Sequence, residues 1–114
     1  MTPPFRPALA LLLATLLAIA APPTAGAELT RTGPGLGVIA GDIGKGDGAR
    51  IAAELAISGV RAVELRSGGG YVAEAIAIAE AIRAAGIVTV APRDALCASS
   101  CFLMLIAGSG RFVH

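Results

Sequence analysis

The sequence predicts an α/β domain with a mainly parallel sheet. Short apolar runs typical of strands alternate with segments whose apolar residues recur at helical spacing, and glycines separate the two kinds of segment. Strands that alternate with helices of about ten to fifteen residues are typical of βαβ units, whose right-handed crossovers place helices against a parallel sheet. One domain is expected, because a chain of this length can bury only a single small core.

Four strands and three helices are predicted, after a loose, irregular segment over residues 28–37. The strands are expected at 36–40, 61–66, 87–91 and 111–113, and the helices at 49–58, 71–85 and 98–107. The second helix has a broad apolar stripe and ends at a glycine; the stripe consists of Val72, Ala75, Ile76, Ala79 and Ile82. The third helix is almost entirely apolar, so we expect it to be buried in the domain or against another subunit.

Residues 1–27 are predicted to be a cleavable secretory signal peptide. A short segment with one cation, Arg6, precedes the run 8–21, in which thirteen of fourteen residues are apolar. This apolar run is too short to cross a bilayer comfortably, since a spanning helix needs about twenty residues. No later segment is long and apolar enough to span a membrane.

The cleavage site is predicted from the small and helix-breaking residues that follow the apolar run. Pro22 and Pro23 would end a helix, and Ala25-Gly26-Ala27 has the small-x-small pattern that signal peptidase accepts. The mature protein is therefore expected to span residues 28–114, to begin at Glu28, and to be periplasmic or secreted. An uncleaved N-terminal anchor is the alternative.

The predicted mature part carries eight basic and eight acidic residues and is formally neutral. Proteins that bind nucleic acids or anionic membranes use clustered cations, so this balance argues against both kinds of partner.

Cys97 and Cys101 both lie in the exported part, where a pair of cysteines is more often a disulfide than two free thiols. A metal site would need further ligands, and the only histidine, His114, is terminal, so no metal is expected.

The first segment that suggests chemistry is Ser67-Gly68-Gly69-Gly70, between a predicted strand and a predicted helix. Glycines at such a junction allow backbone N–H groups to point at an anion, with the helix dipole behind them. The alternative is a tight turn without a ligand.

The second segment is Cys97-Ala98-Ser99-Ser100-Cys101, at a junction between a loop and a helix. A serine placed there has backbone N–H groups beside it that can stabilise the oxyanion formed by nucleophilic attack. The alternative is that Ser99 or Ser100 only caps the helix.

Taken together, the two segments resemble the Clp protease proteolytic subunit and the crotonase-like superfamily, especially exported Clp-like proteins of bacteria. In that family a strand ends in an Asn-Ser-Pro-Gly-Gly turn, and a later Ala-Ser-Ser or Ala-Ala-Ser segment opens a buried helix that ends in Ala-Gly. The corresponding segments here are 65–70, 98–100 and 106–108, and Gly41-Asp42-Ile43 resembles the turn after the family's first strand. The resemblance covers residues 36–113.

The resemblance implies roles for individual residues. The spacing from Gly108 aligns Ser99 with the family's nucleophile. Gly69 then aligns with the residue whose N–H forms the oxyanion hole together with the N–H of Ser100. By this resemblance the fold is an incomplete Clp/crotonase-like domain, and the protein is a serine-hydrolase-like, peptidase-type protein. Its implied partners are a peptide or protein segment as substrate and further copies in a homo-oligomer; no cofactor is implied.

The chain also departs from the family. Gly68 replaces the proline of the turn. The family's general-base histidine lies several residues beyond the position of His114, and its aspartate lies further still. Without a base and an orienting acid a serine is not activated. We therefore expect this chain to resemble a fragment, or a relative without its C-terminal half, and to be inactive.

Two other functions fit parts of the sequence. The first is a non-catalytic envelope protein that serves in binding or oligomerisation. The second is a dinucleotide-binding fragment, because residues 68–73 match a G-x-G-x-x-A fingerprint after a strand and Asp94 follows at a plausible distance. That fingerprint is weak by itself and leaves the Ala98-Ser99-Ser100 segment unexplained.

Overall fold

The computed structural model describes residues 26–114, so residues 1–25 of the predicted signal peptide lie outside the described part. It contains five strands, β1 (Glu28–Gly33), β2 (Leu36–Ala40), β3 (Ala62–Arg66), β4 (Val88–Ala91) and β5 (Arg111–Val113). Three helices alternate with them: α1 (Asp47–Ser58), α2 (Val72–Ala85) and α3 (Cys101–Ile106). None of the described helices is long and apolar enough to cross a membrane.

The five strands form one sheet in the order β1-β2-β3-β4-β5. β1 is antiparallel to β2, and the other three neighbouring pairs are parallel. Consecutive parallel strands that lie side by side and are joined by helices form βαβ units, as the alternation in the sequence predicts. The predicted α/β class with a mainly parallel sheet is therefore confirmed.

The prediction of an irregular segment over residues 28–37 is wrong, because most of it is strand β1. Glu28 pairs with Ala40 and Leu29 with Ile39, and the hairpin closes through Gly33-Pro34-Gly35. Gly35 has a φ of 70° and follows a proline. A type II turn requires a positive φ at its third residue and favours proline just before it. The Pro-Gly pair was thus the sequence signal for a hairpin.

The third helix is shorter than predicted. It begins at Cys101 and not at Ala98, because Ser99 has a φ of 54°, which an α-helix does not allow. The prediction that this helix is buried holds for one face only. Cys101, Met104 and Leu105 are buried, whereas Phe102 is 54% exposed and Ile106 is 40% exposed.

The core lies between the sheet and the helices. It is built from aliphatic side chains of every layer, among them Ile39, Leu65, Ile51, Ile78, Ile82 and Met104. In α2 the buried residues are Ala75, Ile78 and Ile82. Two members of the predicted stripe, Val72 and Ile76, are instead exposed, because the buried face of α2 is rotated toward Ile78.

Candidate active site

The two segments singled out in the sequence lie against each other at the carboxyl end of β3. The Ser67 N–H donates to the Leu96 carbonyl at 2.8 Å, and the Ala98 N–H donates to the Ser67 carbonyl at 3.1 Å. This short parallel pairing extends β3 beyond Arg66 and places the glycine turn next to the Ser99 segment. In parallel α/β sheets this end of the strands is where ligands bind.

Gly69 packs directly on Ser99 and Ser100. It is buried, has a φ of 101°, and a Cβ built on it would lie 2.9 Å from Ser99 Cβ and 3.2 Å from the Ser100 nitrogen. No side chain fits in that space, so Gly69 is required for the two segments to approach. The three residues that the resemblance assigns to one site are therefore brought together.

Hydrogen bonds within the site distinguish the two serines. The Ser100 hydroxyl donates to the Gly70 carbonyl at 3.1 Å and is buried. Ser100 occupies the N-cap position of α3, yet its side chain makes no capping hydrogen bond. The Ser99 side chain is exposed. Of the two hydroxyls, that of Ser99 is the one available to a reactant, and that of Ser100 holds the glycine turn.

Ser99 also stands out by its backbone conformation. Among the described residues it is the only non-glycine residue with positive φ. Such a conformation is strained in a residue with a side chain, and strained residues of this kind cluster at functional sites. The first N–H groups of the helix that follows are bonded within this segment: the Cys101 N–H donates to the Ala98 carbonyl, and the Phe102 N–H donates to the Ser99 carbonyl.

The Gly69 N–H donates to the Ser67 hydroxyl at 3.1 Å. Ser67 is itself 3% exposed, so this bond is shielded from water. A reactant oxygen at an oxyanion hole would have to share this N–H with Ser67 or displace the hydroxyl. Sequence reasoning missed this contact, although Ser67 lies only two residues before the glycine.

The disulfide between Cys97 and Cys101 encloses the Ser99 segment. The Cα atoms of the two cysteines are 5.2 Å apart, and Cys101 is fully buried. Cys97 precedes helix α3, so the pair is not constrained to helical spacing. The predicted pairing is present in the structure, and it closes a short loop that contains Ala98, Ser99 and Ser100.

No histidine or carboxylate reaches Ser99 through a hydrogen bond within residues 26–114. The His114 N–H donates to the Ala91 carbonyl at 3.1 Å, which continues the β4–β5 pairing at the outer edge of the sheet. Asp94 accepts two hydrogen bonds from Arg66, at 3.2 and 3.4 Å, so its carboxylate is engaged in an ion pair. Over the same range there is no cluster of three or more potential metal ligands.

Contacts of the chain with itself explain two glycines of the turn. A Cβ on Gly70 would overlap the backbone of Ile43, and Gly69 contacts the Ser99 segment. These approaches of the chain to itself account for two of the glycines without a pyrophosphate. Asp94, the acidic residue that follows this fingerprint, forms an ion pair with Arg66.

The fold is similar to that of a crystal structure assigned as an enoyl-CoA hydratase from Streptomyces coelicolor A3(2), with a TM-score of 0.50 and 16% sequence identity. The alignment covers 82% of this chain and 48% of that chain, so the chain spans about half the length of the structure it matches. No family model and no curated protein sequence matches the chain. At this identity the similarity concerns the fold alone, and the chain has a crotonase-like fold.

Proposed function

We propose that this chain is the nucleophile-bearing part of an exported, serine-hydrolase-like protein that acts on peptides. Ser99 is the nucleophile, and the backbone N–H groups of Gly69 and Ser100 are the oxyanion donors. The proposal depends on one observation: Gly69, in the glycine turn, contacts the backbone between Ser99 and Ser100. The crotonase-like fold supports it, because that fold is the one the sequence resemblance implies.

The chemistry would begin with attack of the Ser99 hydroxyl oxygen on a peptide carbonyl carbon. The negative charge that develops on the carbonyl oxygen would be stabilised by the two N–H groups. Removal of one such donor typically costs about 100-fold to 1000-fold in rate. The site still needs a base to accept the Ser99 proton, and none is in contact with Ser99 among residues 26–114. The 114-residue chain is therefore expected to be inactive by itself.

A fluorophosphonate probe tests this proposal, because it reacts only with an activated serine. The 114-residue chain should show no labelling at Ser99. If the gene continues past residue 114 to a histidine on the next strand, the longer chain should be labelled at Ser99. Ser99→Ala should abolish that labelling, whereas Ser109→Ala, remote in sequence and exposed, should leave it unchanged. Labelling of the 114-residue chain would mean that a base exists in it, and no labelling of the longer chain would reject Ser99 as the nucleophile.

A second function, oligomerisation without catalysis, is favoured by an exposed apolar surface formed by α2 and α3. Four large apolar side chains of these helices are 40–55% exposed: Val72, Ile76, Phe102 and Ile106. Two of them, Ile76 and Ile106, line a groove of about 270 Å³ together with the charged residues Glu80 and Arg83. Contiguous apolar surface of this kind marks an interaction site in a soluble protein.

The occupant favoured by the flanking charges is a second copy of the chain. In a two-fold arrangement each surface meets its own copy, so Glu80 of one protomer can face Arg83 of the other. Oligomerisation is compatible with peptide hydrolysis; only its non-catalytic form excludes Ser99 as a nucleophile, and probe labelling of the longer chain distinguishes the two.

A further inference from the structure

Two residues that the sequence assigns to the signal peptide, Gly26 and Ala27, are packed into the folded domain. The side chain of Ala27 is fully buried and belongs to the hydrophobic core. Both of its backbone polar groups are bonded within the domain: its N–H donates to Asp47 Oδ2 at 2.9 Å, and its carbonyl accepts a hydrogen bond from the Arg50 guanidinium. A residue held in this way is an integral part of the fold.

Asp47, in the first turn of α1, depends on these contacts. It is 7% exposed and accepts hydrogen bonds from the N–H groups of Ala27 and Gly44 and from Arg50, at 2.9, 2.6 and 2.8 Å. Burial by itself raises the pKa of the Asp47 carboxyl, but these hydrogen bonds outweigh it and hold the pKa below its ordinary value. Loss of Ala27 would remove one of the three donors and leave part of a buried carboxylate unpaired.

The small size of residues 26 and 27 is required by packing. A Cβ on Gly26 would lie 2.9 Å from Asp47 Oδ2 and 3.1 Å from Asp47 Oδ1. Ala27 has no exposed surface, so a larger side chain would have to displace the core. Two of the three small residues of Ala25-Gly26-Ala27 thus have a structural explanation that is independent of signal peptidase.

We propose that signal cleavage falls on the N-terminal side of Gly26, so that Gly26 and Ala27 remain in the mature domain. This inference rests on the proposed export. It moves the predicted start of the mature protein from Glu28 to Gly26 or an earlier residue. Cleavage after Ala27 would empty a core position and introduce the charged amino group of Glu28 next to it. Cleavage after Ala25, a small residue, leaves every contact of Ala27 intact.

The start of the exported chain tests the proposal. DNA that encodes residues 1–114 is expressed in a bacterium, the protein is isolated from the periplasmic fraction, and its first residue is read by intact mass and N-terminal sequencing. A first residue between 22 and 26 supports the inference. A start at Ala27 or later overturns it and leaves export standing, whereas an intact Met1 overturns the cleavable leader and the inference together.

A substitution at Ala27 provides a second readout. If Ala27 directly preceded the cut, Ala27→Leu would block processing and the precursor would accumulate, because signal peptidase requires a small residue there. If the cut lies before Gly26, the variant is processed, but its melting temperature falls by at least about 5 °C because leucine overfills a buried site. Ala49→Leu, at an exposed position of α1, is the matched control and should change neither property. Accumulation of unprocessed Ala27→Leu would contradict the inference.

Discussion

At the scale of single residues, Gly69 is subject to two constraints at once. Its φ of 101° is costly for any residue with a side chain, and Ser99 Cβ occupies the space that a side chain would need. Gly46 is subject to only the first constraint, since its φ is 86° and no atom lies within 4 Å of its Cβ position. The two glycines therefore allow the contact with Ser99 to be separated from the backbone conformation.

We expect Gly69→Ala to lower the free energy of unfolding by about 2–4 kcal/mol, and Gly46→Ala by about 1 kcal/mol. The difference arises because only the first substitution pushes the Ser99 segment away. Urea unfolding of both variants measures it. Equal losses in the two variants would mean that the glycine turn and the Ser99 segment are not in contact.

Asp47 is the described carboxylate with the clearest effect of pH on stability. Its pKa is lowered from the ordinary value of 3.8, so the folded state favours the charged form. The stabilisation is then complete above the unfolded-state pKa and is lost as pH falls through the lower, folded-state pKa. Asp47→Asn should cost about 2–4 kcal/mol at pH 7, and its difference from the unmodified protein should shrink below about pH 4.

Unfolding curves collected from pH 7 to pH 2.5 check this prediction. Asp42→Asn is the control, because Asp42 is exposed and accepts none of the hydrogen bonds found at Asp47. A difference between Asp47→Asn and the unmodified protein that stays constant across the whole range would show that charge on Asp47 is not the source of the stabilisation.

At the scale of elements, α3 and the loop before it are a single unit closed by the disulfide. The sequence predicts a helix from residue 98, because Ala98 and the following residues favour helix and contain no glycine or proline before Gly108. The helix instead begins at Cys101. The pairing of Ser67 with the 96–98 segment and the contact of Gly69 with Ser99 hold the chain in an extended and then left-handed conformation. These contacts are non-local, so local propensity does not reveal them.

The disulfide should be formed in protein isolated from the envelope without reductant. Alkylation under denaturing conditions should then modify neither Cys97 nor Cys101, and prior reduction should make both reactive. Because the closed loop contains only five residues, the chain-entropy model gives a contribution of about 2 kcal/mol to stability, less than the roughly 3 kcal/mol of a fifteen-residue loop. Double replacement by alanine, measured by urea unfolding, checks this value; alkylation of both thiols without reduction would reject the pairing.

At the scale of the whole molecule, one side of the domain remains apolar and exposed. The surface formed by Val72, Ile76, Phe102 and Ile106 lies on the side of α2 and α3 away from the core. The chain spans about half the length of the crystal structure with the similar fold. A second copy that binds there, as proposed above, would remove this apolar surface from water.

We therefore expect the protein to form a dimer at micromolar concentration, as measured by sedimentation velocity. Ile106→Glu should shift it to the monomer, because a carboxylate in the interface would be desolvated without a partner. Ile57→Glu is the matched control: Ile57 is 88% exposed and lies on α1, outside this surface. A monomer in the unmodified protein, or equal behaviour of the two variants, would show that this surface does not bind a second copy.

Most of the element order was predictable from local patterns. The alternation of β-branched runs with helical periodicity predicts β2–β5 and α1–α2 to within two residues at each end, and the glycines 59 and 86 end the helices as expected. The candidate residues Ser99, Ser100 and Gly69 were identified from motif order. The hairpin of β1 was missed because its evidence lay in one Pro-Gly turn and not in hydrophobic periodicity.

The sequence by itself determined the α/β class and the cysteine pair, because both depend on residue type and spacing along the chain, and its resemblance to a known family suggested Ser99 as the candidate nucleophile. Only the tertiary structure decided that Gly69 packs on Ser99, that Ser100 holds the turn while Ser99 stays exposed, and that Ala27 belongs to the core. These facts depend on contacts between residues 20 to 30 positions apart, which no local pattern encodes. Close packing of the chain against itself sets them.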